Sequence, residues 1–141
     1  MTSGMRGKGL PFPAMVAALL LLAGCGGPGD GAGRLPLQGK VTYGGQPVPF
    51  GTIYFDPDAS KGNAGPQGSG EIRDGIYKTN PGFGAIAGFH VVRITAYDGQ
   101  KPPGPEGKML PHGNPLPDYR TQIDIPKGAR ALDFEMPAKA N

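Results

Sequence analysis

Cysteine, tryptophan and histidine are scarce in this chain of 141 residues, which holds one Cys, no Trp and two His. A single cysteine cannot form an intramolecular disulfide, even in an exported chain. Two histidines, His90 and His112, leave few groups that titrate near neutral pH for general acid–base chemistry. The lack of Trp removes the side chain that often stacks on sugar rings.

Clusters of like charge are also missing. The chain has 14 Lys and Arg against 11 Asp and Glu, and the 12 cations beyond Arg6 and Lys8 are spread singly from Arg34 to Lys139. No basic stretch is interleaved with aromatic residues, so nucleic acid is not an expected partner. No segment after residue 24 has a sustained 3.6-residue apolar repeat, so no amphipathic helix is predicted there.

Residues 1–24 have the pattern of a secretory signal peptide. Arg6 and Lys8 precede a mostly apolar run from Leu10 to Leu22, and two small residues follow. The run is about 13 residues long, whereas a transmembrane helix needs roughly 20. We therefore expect this segment to be removed rather than kept as a membrane span.

The residues Leu22-Ala23-Gly24-Cys25 resemble the lipobox of bacterial lipoproteins. In such proteins the cysteine sulfur receives a diacylglycerol, and the chain is cut in front of that cysteine. Acylated Cys25 would then hold the protein in membrane lipid, with each buried CH₂ contributing about 0.8 kcal/mol. It would also use up the only thiol, which excludes a cysteine nucleophile and a Cys–His zinc site. The alternatives are an ordinary signal peptide with an incidental cysteine and an N-terminal core helix.

The rest of the chain divides into three predicted parts. Residues 25–34 are the lipidated cysteine and a glycine-rich tether. A flexible coil of about 9 residues has a root-mean-square span of roughly 17 Å. Residues 35–137 form one small domain, long enough for a core of its own, and residues 138–141 are a C-terminal tail. The residue after the cysteine is Gly26, whereas an Asp at this position retains lipoproteins in the inner membrane of some bacteria. An outer-membrane address is therefore favoured over the inner membrane, with the domain in the periplasm or on the cell surface.

Short apolar alternations separated by Gly and Pro predict β-strands throughout the domain. The longest strand, residues 89–97, would place His90, Val92, Ile94 and Ala96 on its core face. The others are predicted at residues 37–43 and 51–55, in a hairpin within 70–79 that turns at Asp74-Gly75, and in a last pair at 122–125 and 131–136. This spacing predicts an all-β fold, a single antiparallel β-sandwich.

Five motifs recur in a recognisable order: Gly39-Lys40-Val41, Gly45-Gln46-Pro47-Val48, Thr52-Ile53-Tyr54-Phe55, Asp74-Gly75-Ile76-Tyr77 and Gly88-Phe89-His90-Val91-Val92-Arg93-Ile94. This order resembles the carboxypeptidase regulatory-like, or transthyretin-like, β-sandwich domain. Leu116-Pro117-Asp118-Tyr119-Arg120 is similar to a segment of small planctomycete lipoproteins with that domain. The resemblance implies an Ig-like or transthyretin-like sandwich that acts as an accessory or adhesive module.

Two features depart from that family. His90 stands where the family usually has Tyr or Phe, and residues 100–115 are unusually rich in Pro and Gly. Hydroxyisourate hydrolase, an enzyme with the transthyretin-like fold, ends in Tyr-Arg-Gly-Ser, whereas here Thr121 and Gln122 follow Tyr119-Arg120. That motif is absent, and no constellation of titratable residues suggests another active site, so no catalytic residues and no cofactor are expected.

The two histidines are predicted to be structural. His90 lies on the core face of its strand, where we expect a satisfied, half-buried substitute for an aromatic residue. His112 lies in the Pro-rich loop and is expected to be solvated. Nothing in the sequence indicates that the two meet.

Acidic and aromatic residues supply the candidate ligand sites. Asp56, Asp58, Glu71 and Asp74 could offer oxygens to calcium, although a strand end followed by a solvated turn is the favoured explanation and no metal site is predicted. Tyr43, Phe89 and Tyr97 could form a platform for a glycan, although strand aromatics are more often core residues or cross-strand pairs.

Two functional hypotheses remain open at this level. The first is a lipid-anchored, non-catalytic envelope module that contacts protein or acts as a spacer. The second is a lipoprotein that binds a glycan or calcium on its loops. The loop from Gln100 to Asp118 is longer than most connections, and such loops are usually functional or disordered.

Overall fold

The computed structural model describes residues 33–100 and 111–138, and within these ranges the chain is all-β with no α-helix. One 3₁₀ turn spans Ala59–Lys61. The eight strands are β1 (Gln38–Tyr43), β2 (Gln46–Pro47), β3 (Phe50–Pro57), β4 (Gly68–Arg73), β5 (Ile76–Thr79), β6 (Gly88–Tyr97), β7 (Tyr119–Ile125) and β8 (Phe134–Met136). In the same ranges, no helix has the length and apolar character that crossing a membrane requires.

The strands form one curled sheet in the order β2-β1-β5-β4-β3-β6-β7, with β8 also paired to β1. Every pairing is antiparallel except that of β1 with β8, which is parallel. The curl arises at β1, whose first half pairs with β5 and whose second half pairs with β8. The predicted all-β fold is confirmed, while the Ig-like or transthyretin-like type of sandwich stays a prediction.

The core lies inside the curl. Phe55 of β3 and Phe134 of β8 are not on neighbouring strands, yet their ring centroids are 6.1 Å apart. Tyr77 of β5 contacts both rings and donates its hydroxyl to the carbonyl of Leu132 at 2.9 Å. Fourteen buried apolar residues form a single cluster around these rings, so the far ends of the sheet meet through the core.

The hairpin between β4 and β5 turns where the sequence predicts it. Asp74 and Gly75 have φ angles of 49° and 79°, which is the conformation of a type I′ turn. A Cβ on Gly75 would lie 2.6 Å from the Cβ of Pro47, so only glycine fits there.

The predicted faces of β6 are also confirmed. His90, Val92, Ile94 and Ala96 are buried, whereas the residues between them are exposed or half-buried. This alternation also places two of the candidate site residues, Phe89 and Tyr97, on the outer face at the two ends of β6.

The predicted last pair is wrong, because β7 and β8 do not pair with each other. β7 pairs with β6, and β8 crosses to the other end of the sheet and pairs with β1. Gly39 permits the crossing, since the carbonyl oxygen of Leu132 lies 2.0 Å from where a Cβ of residue 39 would stand. The crossing buries Phe134 and Met136 against the core, which a hairpin at the edge would not do.

Several predictions fall outside the described residues. They are the signal peptide, Cys25 and its acylation, the tether up to residue 32, the middle of the long loop at 101–110 and the tail from residue 139.

Candidate binding site

The described part of the long loop is tied to the end of β6 by one carboxylate. Asp98 directly follows β6, and its Oδ1 accepts hydrogen bonds from the backbone N–H of Gln100 at 2.9 Å and of Asn114 at 2.8 Å. Its Oδ2 accepts from the side-chain amide of Asn114 at 3.0 Å. These donors, the Asn114 side chain foremost, hold the pKa of Asp98 below its usual value because they stabilise the charged form.

Backbone hydrogen bonds extend this closure. The N–H of Asp98 donates to Asn114 O at 3.0 Å, that of Gly99 to His112 O at 3.1 Å, and that of Leu116 to Ala96 O at 2.8 Å. The two ends of the loop are therefore hydrogen-bonded to each other, and we call the paired residues 96–99 and 112–116 the loop neck.

Gly113 is required inside the neck. It is buried with a φ of 92°, and a Cβ there would lie 2.2 Å from Asp98 Oδ1 and 2.5 Å from the carbonyl oxygen of Gln100. No side chain fits beside the carboxylate, so the close approach depends on glycine.

Three rings gather on the outer face of the sheet beside the neck. Phe50 and Tyr97 are cross-strand partners with centroids 6.2 Å apart. His112 stacks on Phe50 with a centroid distance of 3.6 Å and an interplanar angle of 8°, and it also lies 5.9 Å from Tyr97. The guanidinium of Arg73 lies 5.7 Å from the Phe50 ring. We call Phe50, Tyr97, Asp98, His112 and Asn114 the loop-base cluster.

His112 is exposed, as predicted for a loop residue, and its ring in addition stacks on Phe50, which the sequence did not predict. A cleft of about 250 Å³ adjoins the cluster and is lined in part by Tyr43, Val48, Pro49, Asp98 and Leu116. Two of the three predicted platform residues therefore lie at this end of the domain, Tyr97 in the cluster and Tyr43 in the adjoining cleft.

The predicted platform of Tyr43, Phe89 and Tyr97 does not form as one surface. Phe89 and Tyr97 lie near opposite ends of β6, eight positions apart along the strand, which corresponds to about 26 Å. Tyr97 is held in the cluster, while Phe89 is 40% exposed and lies under the ammonium of Lys61, 4.9 Å from its ring centroid. The periodicity of β6 placed both rings on one face, but it carries no information on a shared site.

His90 is buried more deeply than predicted. It is fully buried rather than half-buried, and its Nδ1 lies 2.8 Å from the carbonyl of Gly88, to which it can donate. Its Nε2 is buried with no hydrogen-bond partner among the described residues, so this histidine is not satisfied. His90 and His112 lie at opposite ends of the strand and do not converge.

The four candidate calcium residues are each engaged separately. Asp56 pairs with Arg93 and accepts from Gln67. Asp58 accepts from the backbone N–H of Ser60, two residues on, and caps the 3₁₀ turn. In the two ranges that the structure covers, no three acidic, His or Cys residues gather as a metal site requires.

The other two candidate calcium residues, Glu71 and Asp74, are also engaged elsewhere. Glu71 accepts from Arg73 Nη2 at 2.6 Å, and Asp74 occupies the tight turn. Glu71 stands opposite Thr52, four positions along β3 from Asp56, which corresponds to about 13 Å. The calcium hypothesis therefore has no common site in this part of the chain.

Three charged residues, Asp56, Arg93 and Arg120, lie close together on the outer face of the sheet. Arg93 is opposite Tyr54 of β3 on one side and Arg120 of β7 on the other. The hydrogen bond from Arg93 is the main reason that the pKa of Asp56 lies below its ordinary value, and the charge of Arg120 lowers it further. Arg93 and Arg120 carry like charges at directly opposed positions, which is unfavourable unless each is compensated.

Two larger grooves lie beside β5, at about 470 and 420 Å³. Lys78, Thr79, Asn80 and Pro81 line both, and neither contains an aromatic candidate apart from the buried Tyr77. Size alone does not make them better sites.

Sequence reasoning missed the residues that organise this end of the domain. Asp98, Asn114, Phe50 and Gly113 are not among the sequence candidates. Asp98-Gly99 directly after a strand is a turn signal that marks the spot. The partnership of Asp98 with Asn114 links residues 16 positions apart, and no local pattern reveals it.

Comparison of the chain with models of protein families, with curated proteins and with solved structures finds no match in any of the three.

Proposed function

We propose that the chain is a bacterial lipoprotein, anchored in membrane lipid through acylated Cys25, whose β-domain is a non-catalytic contact module of the cell envelope. The loop-base cluster is the contact surface. The observation that supports this most is the closure of the loop neck by Asp98, which presents the ring of His112 in one orientation.

A surface that is already ordered binds at lower cost. Each rotamer-rich side chain that is immobilised on binding costs about 0.5–1.5 kcal/mol. The rings of Phe50 and His112 are already held by stacking in the free domain, so binding would cost them little further conformational entropy. Aromatic residues and Arg are enriched at protein contacts, and the guanidinium of Arg73 lies over the Phe50 ring.

The polar groups around the cluster suit binding better than catalysis. Asp98 accepts the hydrogen bonds that close the neck, and Glu71 pairs with Arg73. Each carboxylate is satisfied by a neighbour, so these groups shape the surface. A spacer would need only the tether and the sheet, whereas a contact module also needs an ordered loop end.

Replacing Cys25 with Ser tests the anchor. The unmodified chain is expected to fractionate with membranes and to resist salt and alkaline washing, whereas the Cys25→Ser chain is released. Mass spectrometry of the N-terminal peptide should find acyl groups on Cys25. A Cys25→Ser chain that stays with membranes after washing contradicts the proposal.

Limited proteolysis tests the contact surface. Cell-envelope extract should slow cleavage of the long loop in the unmodified chain at least severalfold, and the paired variant Phe50→Ala/His112→Ala should lose this protection. Phe89→Ala is the matched control, because Phe89 is an exposed ring at the other end of β6. Equal protection of all three chains rules out a contact at the loop-base cluster and favours the spacer role.

A glycan is the second candidate ligand, favoured by the cleft beside the cluster. Tyr43 offers a half-buried ring there, and Pro49 and Leu116 add apolar walls. Glycan-array binding that is lost in Tyr43→Ala and kept in Phe89→Ala would support this site. Binding that survives Tyr43→Ala contradicts it.

A further inference from the structure

β7 is the longest exposed edge of the sheet in the part of the chain that the structure describes. It pairs with β6 on one side only, over all seven of its residues. The other terminal strands are short, since β2 has two residues and β8 has three. An unpaired row of N–H and C=O groups of this length is a template for another strand.

Among the described residues, the outer face of β7 carries two charges outside any ion pair, although Arg120 lowers the pKa of Asp56 and Gln122 accepts a hydrogen bond from Lys61 at 3.3 Å. Arg120, Gln122 and Asp124 alternate on this face, and all three are exposed. Arg120 stands directly opposite the like charge of Arg93, which is already paired with Asp56. Neither Arg120 nor Asp124 forms an ion pair with another described residue.

The charges of β7 are complementary to those of a second β7. In an antiparallel pair centred on Gln122, Arg120 of each copy faces Asp124 of the other, and Gln122 faces Gln122. Opposite charges in directly opposed positions stabilise a pair of strands. Thr121 and Ile123, which are half-buried on the inner face, would also face each other across the junction.

The length of β7 and the prolines that flank it also favour the register centred on Gln122. Pro117 and Pro126 lie just outside β7, and the pairing centred on Gln122 uses all seven residues and leaves both prolines outside the ladder. Because strand faces alternate with a period of two, the neighbouring registers differ by two residues. One of them sets Asp118 against Asp124, and the other brings Pro126, which has no N–H to donate, opposite Arg120.

We infer that two copies of this chain associate edge to edge through β7, in an antiparallel register centred on Gln122. The contact is isologous, with one twofold axis passing through the Gln122 pair. It joins the two curled sheets through backbone hydrogen bonds and two Arg120–Asp124 ion pairs. The inference does not depend on acylation of Cys25 or on the loop-base cluster.

Cysteine cross-linking tests the register. The full chain with Cys25→Ser, kept in a non-ionic detergent so that its apolar N-terminal run does not drive association, would carry one introduced thiol. Gln122→Cys should oxidise to a disulfide-linked dimer, because directly opposed residues bring their Cβ atoms to about 4.5–5.5 Å. Asp124→Cys alone should not, because residues 124 of the two copies would lie at least about 13 Å apart.

Mixing two variants provides the matched control. Arg120→Cys and Asp124→Cys chains should each form no disulfide-linked dimer alone and should form a mixed disulfide together. If Gln122→Cys cross-links no faster than Asp124→Cys, the inference is overturned. Dimers that form equally well from all three variants also overturn it, since they would indicate unspecific collision.

Charge reversal tests the ion pairs without any thiol. Arg120→Asp places carboxylates opposite each other at both ends of the ladder and should weaken self-association about tenfold, as measured by sedimentation equilibrium. The double variant Arg120→Asp/Asp124→Arg exchanges the two charges and should restore the affinity. Circular dichroism checks that each variant is folded. A double variant as weak as Arg120→Asp, or an unmodified chain that is monomeric at every concentration, contradicts the inference.

Discussion

The polar groups at the two ends of β6 differ in whether their hydrogen bonds are satisfied. At the loop end, Asp98 accepts three hydrogen bonds from Gln100 and Asn114, and the ring of His112 is exposed on the surface of the domain. At the other end, His90 is fully buried, and its Nε2 has no partner in the ranges that the structure describes. The same strand thus ends in a satisfied network on one side and an unsatisfied core group on the other. Polar residues at the loop end should therefore stabilise the domain, whereas the polar atom of His90 should weaken it.

The largest effect is expected at the neck. Gly113→Ala places a Cβ against Asp98 Oδ1 and the carbonyl of Gln100 at a φ of 92°, and should lower the free energy of unfolding by about 3 kcal/mol. Thermal unfolding measures the loss, and faster proteolysis of the loop locates it.

Gly82→Ala is the control for this change. Gly82 has a φ of 78°, but nothing lies within 4 Å of the position of its Cβ. It should therefore show only the cost of the backbone conformation. Equal losses in the two variants would mean that the neck does not depend on close approach to Asp98.

The two histidines should respond to the same substitution with opposite signs. His90→Leu removes an unsatisfied buried nitrogen and should raise the free energy of unfolding by about 1 kcal/mol, because the desolvation penalty exceeds the lost bond to Gly88. His112→Leu loses the stack on Phe50 and should lower it by about 0.5–1 kcal/mol. Denaturant unfolding of both variants compares the two ends directly. Destabilisation by His90→Leu would show that Nε2 is satisfied in solution.

The smallest effect is expected in acid, at the loop end alone. The pKa of Asp98 is lower in the folded chain than in the unfolded chain, so near that pH the folded state binds fewer protons. The contribution of Asp98 is therefore fully present above its ordinary pKa of about 3.9, and it is lost as the pH falls through the lower folded value. The amide signal of Asn114 in NMR spectra should report this opening.

Asp98→Asn is the control for the acid experiment. It removes the titrating group, so the Asn114 signal should no longer change with pH in this window. A signal that moves in the same way in both chains assigns the opening to another carboxylate.

The contrast between the two ends also explains what local patterns predicted. The alternation along β6 predicted that His90 faces the core, and the Asp74-Gly75 pair predicted a hairpin, because each depends on a few neighbouring residues. The pattern could not predict the hydrogen bonds of His90. Those depend on the local backbone at Gly88 and on Asn63, 27 positions earlier, which the fold brings beside the ring.

The loop-base cluster was beyond prediction for the same reason. His112 reads as a solvated residue because its neighbours in sequence are Pro, Gly and Asn. It stacks because β3 places Phe50 beneath it, 62 positions earlier in the chain.

By itself, the sequence determined the all-β character, the positions of most strands and the buried face of β6, because strand alternation and turn chemistry are local properties. The tertiary structure alone decided that β8 crosses to pair in parallel with β1, that Asp98 closes the long loop, and that β7 is left as the exposed edge. These features join residues that are far apart in the chain. They arise only when the curled sheet encloses its core, and no short-range pattern encodes that closure.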